Sequence, residues 1–225
     1  MNTDGSVAVQ RYAVFAVLRG ALETAAVTWW IANPKVLPRQ RLTFGLQLGL
    51  HSVRYRLQTR SVLAPNQVAQ LEEVRRRLEN TARHHKIMNL VGKLDSGSDV
   101  GIPNASQLIE GLFKFVPYLE PEAAVAEYGV LSEPMHGNMI AALAGYRHAM
   151  PSDEHHPDML HPNVPIFEIV IGAHFAAAGA ARAMQGFVEL MGWDVDRWME
   201  MSEPELSSLR TAAFIAHDFN TGVIE

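Results

Sequence analysis

Between Arg11 and Lys35 only two residues are charged, Arg19 and Glu23, and they sit in an apolar run from Val7 to Ile31 with Tyr12, Phe15, Leu18, Leu22, Trp29 and Trp30. A run of this length reads as a helix, and a helix apolar on nearly every side must be covered on nearly every side. Asn33 and Pro34 end it, because the proline ring disfavours helical geometry in the residue before it. Other elements must therefore wrap this helix.

Those elements are helices too. Pro38 to about Leu63 is a second helical pattern rich in Arg, Leu and Gln. A third opens at Ala64-Pro65 and runs to Ile87, with Leu71, Val74, Leu78 and Ala82 on one face. After a Gly/Ser/Asp loop near 93–104, Asn104 or Ser106 caps a short helix through Phe115, and a further helix runs from Glu120 to about Tyr146. A loop near 147–165 leads to a helix over Ile166 to Gly192 and one or two final helices. β-branched residues do not alternate with polar ones, and no hairpin dipeptide separates two apolar runs. The expected fold is all-α, a single antiparallel bundle of six to seven helices over residues 1–225 with a C-terminal helical hairpin.

Composition narrows function less. A formal charge of −5 gives no general attraction to phosphate backbones, so strong DNA binding is not expected, although it leaves room for a local basic patch. The absence of cysteine removes disulfides, thiolate metal sites and a cysteine nucleophile, in keeping with a reducing cytoplasm. The N-terminus begins acidic, unlike a signal peptide, and no bilayer-length apolar stretch is without charge.

Two places hold polar groups where helix stability does not ask for them. Arg19 and Glu23 share a face, but the Arg precedes the Glu, the less favourable order, and burying such a pair costs several kcal/mol per ion. They form either a structural ion pair tying this helix to another or part of a site. The second place is the stretch "EYGVLSEPMHGN", Glu127 to Asn138. Ser132 and His136 lie four apart, with Glu133 bordering their face. Pro134 removes a backbone donor inside the helical pattern at a cost of about 3 kcal/mol, and Gly137 lowers propensity by about 1 kcal/mol. A kink there sets a hydroxyl, a carboxylate and an imidazole beside a freed carbonyl. It either bends the helix around a neighbour or makes a site. The candidate catalytic residues are Arg19, Glu23, Ser132, Glu133 and His136, with Tyr128 and Asn138 as candidate ligand-binding residues.

The segments Leu18 to Pro34 and Tyr128 to Asn138 resemble a pattern of uncharacterised actinobacterial helical proteins, an early "ALE-x-A" helix ending in paired aromatics and a later "S-x-x-x-HG" helix. These in turn are similar to the HEPN superfamily. The resemblance implies a helical bundle that forms a homodimer and, in active members, a metal-independent ribonuclease using an Arg four to six residues before a His. Here His136 matches the His, while Val130 and Leu131 stand where the Arg would lie.

Other features read more plainly. Arg77 and His84 have a similar spacing on a face that looks solvated. Glu133 and His136 make one Glu-x-x-His, the spacing di-iron bundles use twice, and Glu23, Glu110 and Glu168 could add carboxylates. His148, His155, His156 and His161 share a polar loop. Gly172, Ala176, Gly179 and Ala183 form a small-residue stripe that admits a helix closely, in the core or across a dimer. His174 and Arg182 read as polar anchors, and His217, Asp218 and Asn220 as a capped helix end. The expectation is an accessory or regulatory binding role for RNA or a nucleotide, with no cofactor or metal. A ribonuclease toxin using His136 with Arg19, and a metal-dependent oxidase using Glu133 and His136, are the alternatives.

Overall fold

The computed structural model describes residues 11–98, 100–132 and 166–221, all in helices and their connections, with no strand among them. The described α-helices are α1 (Arg11–Ala32), α2 (Pro38–Gln58), α3 (Pro65–His84), α4 (Met88–Asp95), α5 (Ala105–Phe113), α6 (Pro121–Ser132), α7 (Ile166–Leu190) and α8 (Val195–Thr221), with a 3-10 turn at Arg60–Val62. The all-α helical architecture is as expected, and α7 with α8 is the C-terminal hairpin. Pro134, Gly137 and the histidine loop lie outside the described residues.

Two boundaries differ from the sequence reading. The second helix, α2, stops at Gln58, with the 3-10 turn after it, rather than near Leu63. The third helix stops at His84 and α4 follows as a separate helix. The stop is a Schellman turn: Ile87 N–H donates to Ala82 O and Lys86 N–H to Arg83 O, at 3.0 Å each. Lys86 takes the left-handed position, φ 50°, that glycine usually fills, so nothing in the composition marked it. At two further such turns glycine does fill it: Gly97, φ 67°, with Ser98 N–H donating to Lys93 O at 2.9 Å, and Gly192, φ 69°, with Trp193 N–H donating to Val188 O at 3.0 Å. Asp194 then caps α8 by accepting from Arg197 N–H at 3.0 Å.

The chain divides into two compact units, one of residues 30–104 and one of residues 1–29 and 105–225. In the first, α2, α3 and α4 pack around Leu46, Leu50, Ala82, Ile87, Leu90, Val91 and Val100. Pro65 at the first position of α3 needs no donor, and Gln67 Oε1 accepts from Ala64 N–H at 3.0 Å. In the second unit, α5, α6, α7 and α8 associate, and Phe15 of α1 is fully buried against Leu131. The small-residue stripe of α7 serves this core. A methyl at Gly179 would lie 3.2 Å from Leu112 and 3.5 Å from Leu22, and one at Gly172 would lie 3.2 Å from Leu18 and from Leu131. The Ala13–Ala32 part of α1 is long and apolar enough to cross a membrane by length and composition.

Candidate functional site

Arg19 and Glu23 do meet another helix, at Tyr128 of α6. Arg19 Nε donates to Glu23 Oε1 at 2.9 Å, and the Tyr128 hydroxyl donates to the same oxygen at 2.7 Å. Arg19 Nη2 reaches the Tyr128 oxygen at 3.4 Å, and the guanidinium lies 5.6 Å from the ring centre. Burial works against the charge on Arg19, but its bonds to Glu23 and Tyr128 outweigh that and raise its pKa. Burial and the bond to Glu23 push the Tyr128 phenol up. The three groups satisfy one another, so the cluster is a tie between α1 and α6.

Ser132 is buried, and its hydroxyl donates back to Tyr128 O at 2.7 Å, one turn earlier in its own helix. Glu133, His136 and Asn138 lie outside the described residues. The structure therefore brings together Arg19, Glu23 and Tyr128, with Ser132 one turn below.

Beside this tie lies a group that the sequence did not single out. Glu127 is half-buried between α6 and α7, where a methyl on Gly172 would come within 3.1 Å of its carboxylate. Burial, then repulsion from Glu168, pushes its pKa up to about 7. Of the other carboxylates considered for a metal, Glu110 pairs with Lys114 at 2.7 Å on the surface and Glu23 is held by Arg19. Among the described residues no three His, Asp or Glu converge as metal ligands. Arg77 pairs with Glu73 at 2.7 Å on an exposed face, so the Arg77 to His84 spacing marks a solvated surface.

A different arrangement dominates residues 30–104. They carry twelve Lys and Arg against five Asp and Glu, a formal charge of +7, while the rest of the chain has seven against nineteen, or −12. From Thr24 to Leu71 there is no acidic residue, but there are six basic ones: Lys35, Arg39, Arg41, Arg54, Arg56 and Arg60. The first half of α2 is partly covered and the second half is open: His51, Arg54, Tyr55, Arg56 and Arg60 are all exposed. Leu46, Leu50 and Val53 are buried and fix the helix's inner face, so His51 and Tyr55, one turn apart, point outward. Tyr55 is 66% exposed with an arginine on either side in sequence.

On α3 the balance is different, because Arg75 pairs with Glu72, Arg76 and Arg77 with Glu73, and Arg83 with Asp95. The net positive charge of the unit therefore concentrates on α2 and its 3-10 extension. The whole-chain charge hid this feature; counting charge over windows of the chain would have found it. No family model matches this chain, and neither does any curated protein or solved structure.

Proposed function

We propose that the chain is an accessory or regulatory binding protein whose residues 30–104 hold single-stranded RNA. The observation that carries this reading is the exposed Arg54-Tyr55-Arg56 segment of α2, set in 48 residues with six basic side chains and no acidic one. Guanidinium groups neutralise backbone phosphates, and an exposed aromatic ring offers a face on which an unpaired base can stack. A duplex hides its base faces from such a ring, which favours a single strand. The field of these charges falls off over about 8 Å at physiological salt, so the charge of the unit matters more to a bound strand than that of the whole chain. The resemblance to the HEPN superfamily points in the same direction.

The test is fluorescence anisotropy with a labelled RNA of about ten nucleotides in the presence of chelator. Affinity should fall as salt rises, with a slope of roughly −2 in log K against log salt for about three phosphate contacts on a single strand. Arg56→Glu combined with Arg60→Glu should weaken binding at least tenfold. Tyr55→Ala should weaken it by about 1–3 kcal/mol, the contribution of one stacked base. No binding at low salt, or binding indifferent to the double charge reversal, overturns the reading. Cleavage of the RNA that is lost in His136→Ala would favour the ribonuclease alternative.

A further inference from the structure

In the acidic unit, α7, α8 and the segment 116–119 enclose a cavity of about 350 Å³, within the range of small-molecule sites. Most of its wall is apolar, with Leu119, Ala178, Trp198, Leu206 and Phe214 among the lining residues. Three basic side chains interrupt that wall: His174 and Arg182 from α7 and Arg210 from α8. Arg210 is held at the rim, 2.9 Å from Glu203 and with its guanidinium 5.6 Å from the Tyr118 ring centre.

Arg182 is held differently. Its guanidinium lies 4.6 Å from the Trp29 ring centre and 6.0 Å from that of Phe115, and Nη1 donates to Gln185 Oε1 at 2.5 Å. No carboxylate pairs with it within ion-pair distance among the described residues. Its Nε is buried without a hydrogen-bond partner, and so is Nδ1 of His174. Buried polar atoms in native proteins are nearly always satisfied, and partial burial lowers the Arg182 pKa, with Glu189 only partly offsetting it. The two side chains stand two turns apart on one helix and both line one apolar cavity, a setting that fits an anionic head group with a hydrophobic body. Arg182 is anchored, as the sequence suggests, by Gln185 and the Trp29 ring; its Nε and His174 Nδ1 are the atoms left without a partner.

We infer that this cavity is a binding site for a small organic carboxylate, with Arg182 on the carboxylate, His174 as a second hydrogen-bonding group, and the Trp198 to Phe214 wall around an apolar body. A guanidinium offers a planar fork matched to a carboxylate. A single half-buried cation without a carboxylate in ion-pair contact suits a single negative charge. The rim cation Arg210 is already neutralised by Glu203, which disfavours a multiply charged ligand such as a polyphosphate. The site is independent of the RNA reading, since it involves none of residues 30–104.

Isothermal titration calorimetry with three probes tests this on the full chain: naphthalene-2-acetate, its neutral amide, and acetate. The aromatic acid should bind at least tenfold more tightly than the amide, as expected for loss of a charged hydrogen bond, and acetate should not register at millimolar concentration. Arg182→Met keeps an apolar stem beside Trp29 and should reduce acid affinity to that of the amide. Because that change also removes the contact with the Trp29 ring, Ala178→Met serves as a second variant: it fills the cavity, leaves every charge in place and should abolish binding of the acid. Equal binding of acid and amide overturns the carboxylate assignment. No heat with the acid, or acid binding unaffected by Ala178→Met in a folded protein, overturns the site itself.

Discussion

The two units handle charged groups in opposite ways. In residues 30–104 the core is aliphatic, and the ion pairs of Arg75, Arg76, Arg77 and Arg83 all lie at the surface. In the other unit polar groups are drawn inward: Arg19 with Glu23 and Tyr128, Glu127 toward α7 and Glu168, His174 and Arg182 into a cavity wall. Surface ion pairs contribute little to stability and are screened by salt, so the charge of the basic unit acts mainly as a field on whatever approaches. Inward charges cost several kcal/mol unless paired, so each needs a partner, a proton or a ligand. The difference teaches where to look for each kind of function: charge counting suits the basic unit, and partner accounting suits the acidic one.

The largest effects should come from the cores. Phe113 is 1% exposed and meets Phe175 with ring centres 5.7 Å apart, and Leu90 is equally buried in the other unit. Phe113→Ala should cost about 3–5 kcal/mol and Leu90→Ala about 2–5 kcal/mol. Hydrogen exchange should accelerate in α5 and α7 for the first variant and in α3 and α4 for the second. Acceleration of both sets by either change would mean one cooperative core rather than two.

A smaller effect with the opposite sign is expected at Glu127. Its carboxyl pKa is raised from 4.5 to about 7 in the folded chain. Between those values the native state holds a proton that the unfolded chain has lost, so stability falls as pH rises through the window and the penalty is complete above it. Glu127→Gln removes the titration. It should leave stability nearly unchanged at pH 4 and raise it by up to about 3 kcal/mol at pH 8, because each tenfold change in an acid constant corresponds to about 1.4 kcal/mol. Urea denaturation at pH 4, 6 and 8 reads this directly, and parallel pH curves for the two proteins would show a solvated, ordinary carboxylate.

How much of this was legible in the sequence follows the same division. The helices were, because apolar periodicity marks their faces, Pro34 marks an end and Pro38 and Pro65 mark starts. The end of α3 was not, because Lys86 holds a conformation usually left to glycine and the surrounding hydrogen bonds impose it. That α1 is tied to another helix followed from two charges in an apolar run, which required a partner. Tyr128 as that partner needed three dimensions, as did Glu127, whose environment depends on the missing side chain at Gly172. His174 and Arg182 stand out in the sequence but read there as anchors, the commoner role, and only three dimensions show that both line a cavity with one nitrogen each left unpartnered. The basic stretch from Thr24 to Leu71 is readable throughout and is lost by averaging over the chain.

The smallest effects come from two glycines and have opposite signs. Gly92 lies inside α4 with nothing within 4 Å of where a Cβ would be, so Gly92→Ala should stabilise the basic unit by about 0.5–1 kcal/mol through lower unfolded-state entropy. Gly172→Ala gains the same entropy, but its methyl would stand 3.1 Å from Glu127 Oε1 and 3.2 Å from Leu18 and Leu131. Contacts on three sides leave little room to yield, so a net loss of about 1 kcal/mol is expected, at the low end for overpacking. The loss should also depend on pH. A methyl against the carboxylate strips it further of water and disfavours its charged form, so the cost should be greater at pH 8 than at pH 5. An equal loss at both would mean that the methyl displaces the two leucines and leaves the carboxylate alone. A gain like that at Gly92 would mean that α7 can move away, and that Gly172 does not set the environment of Glu127.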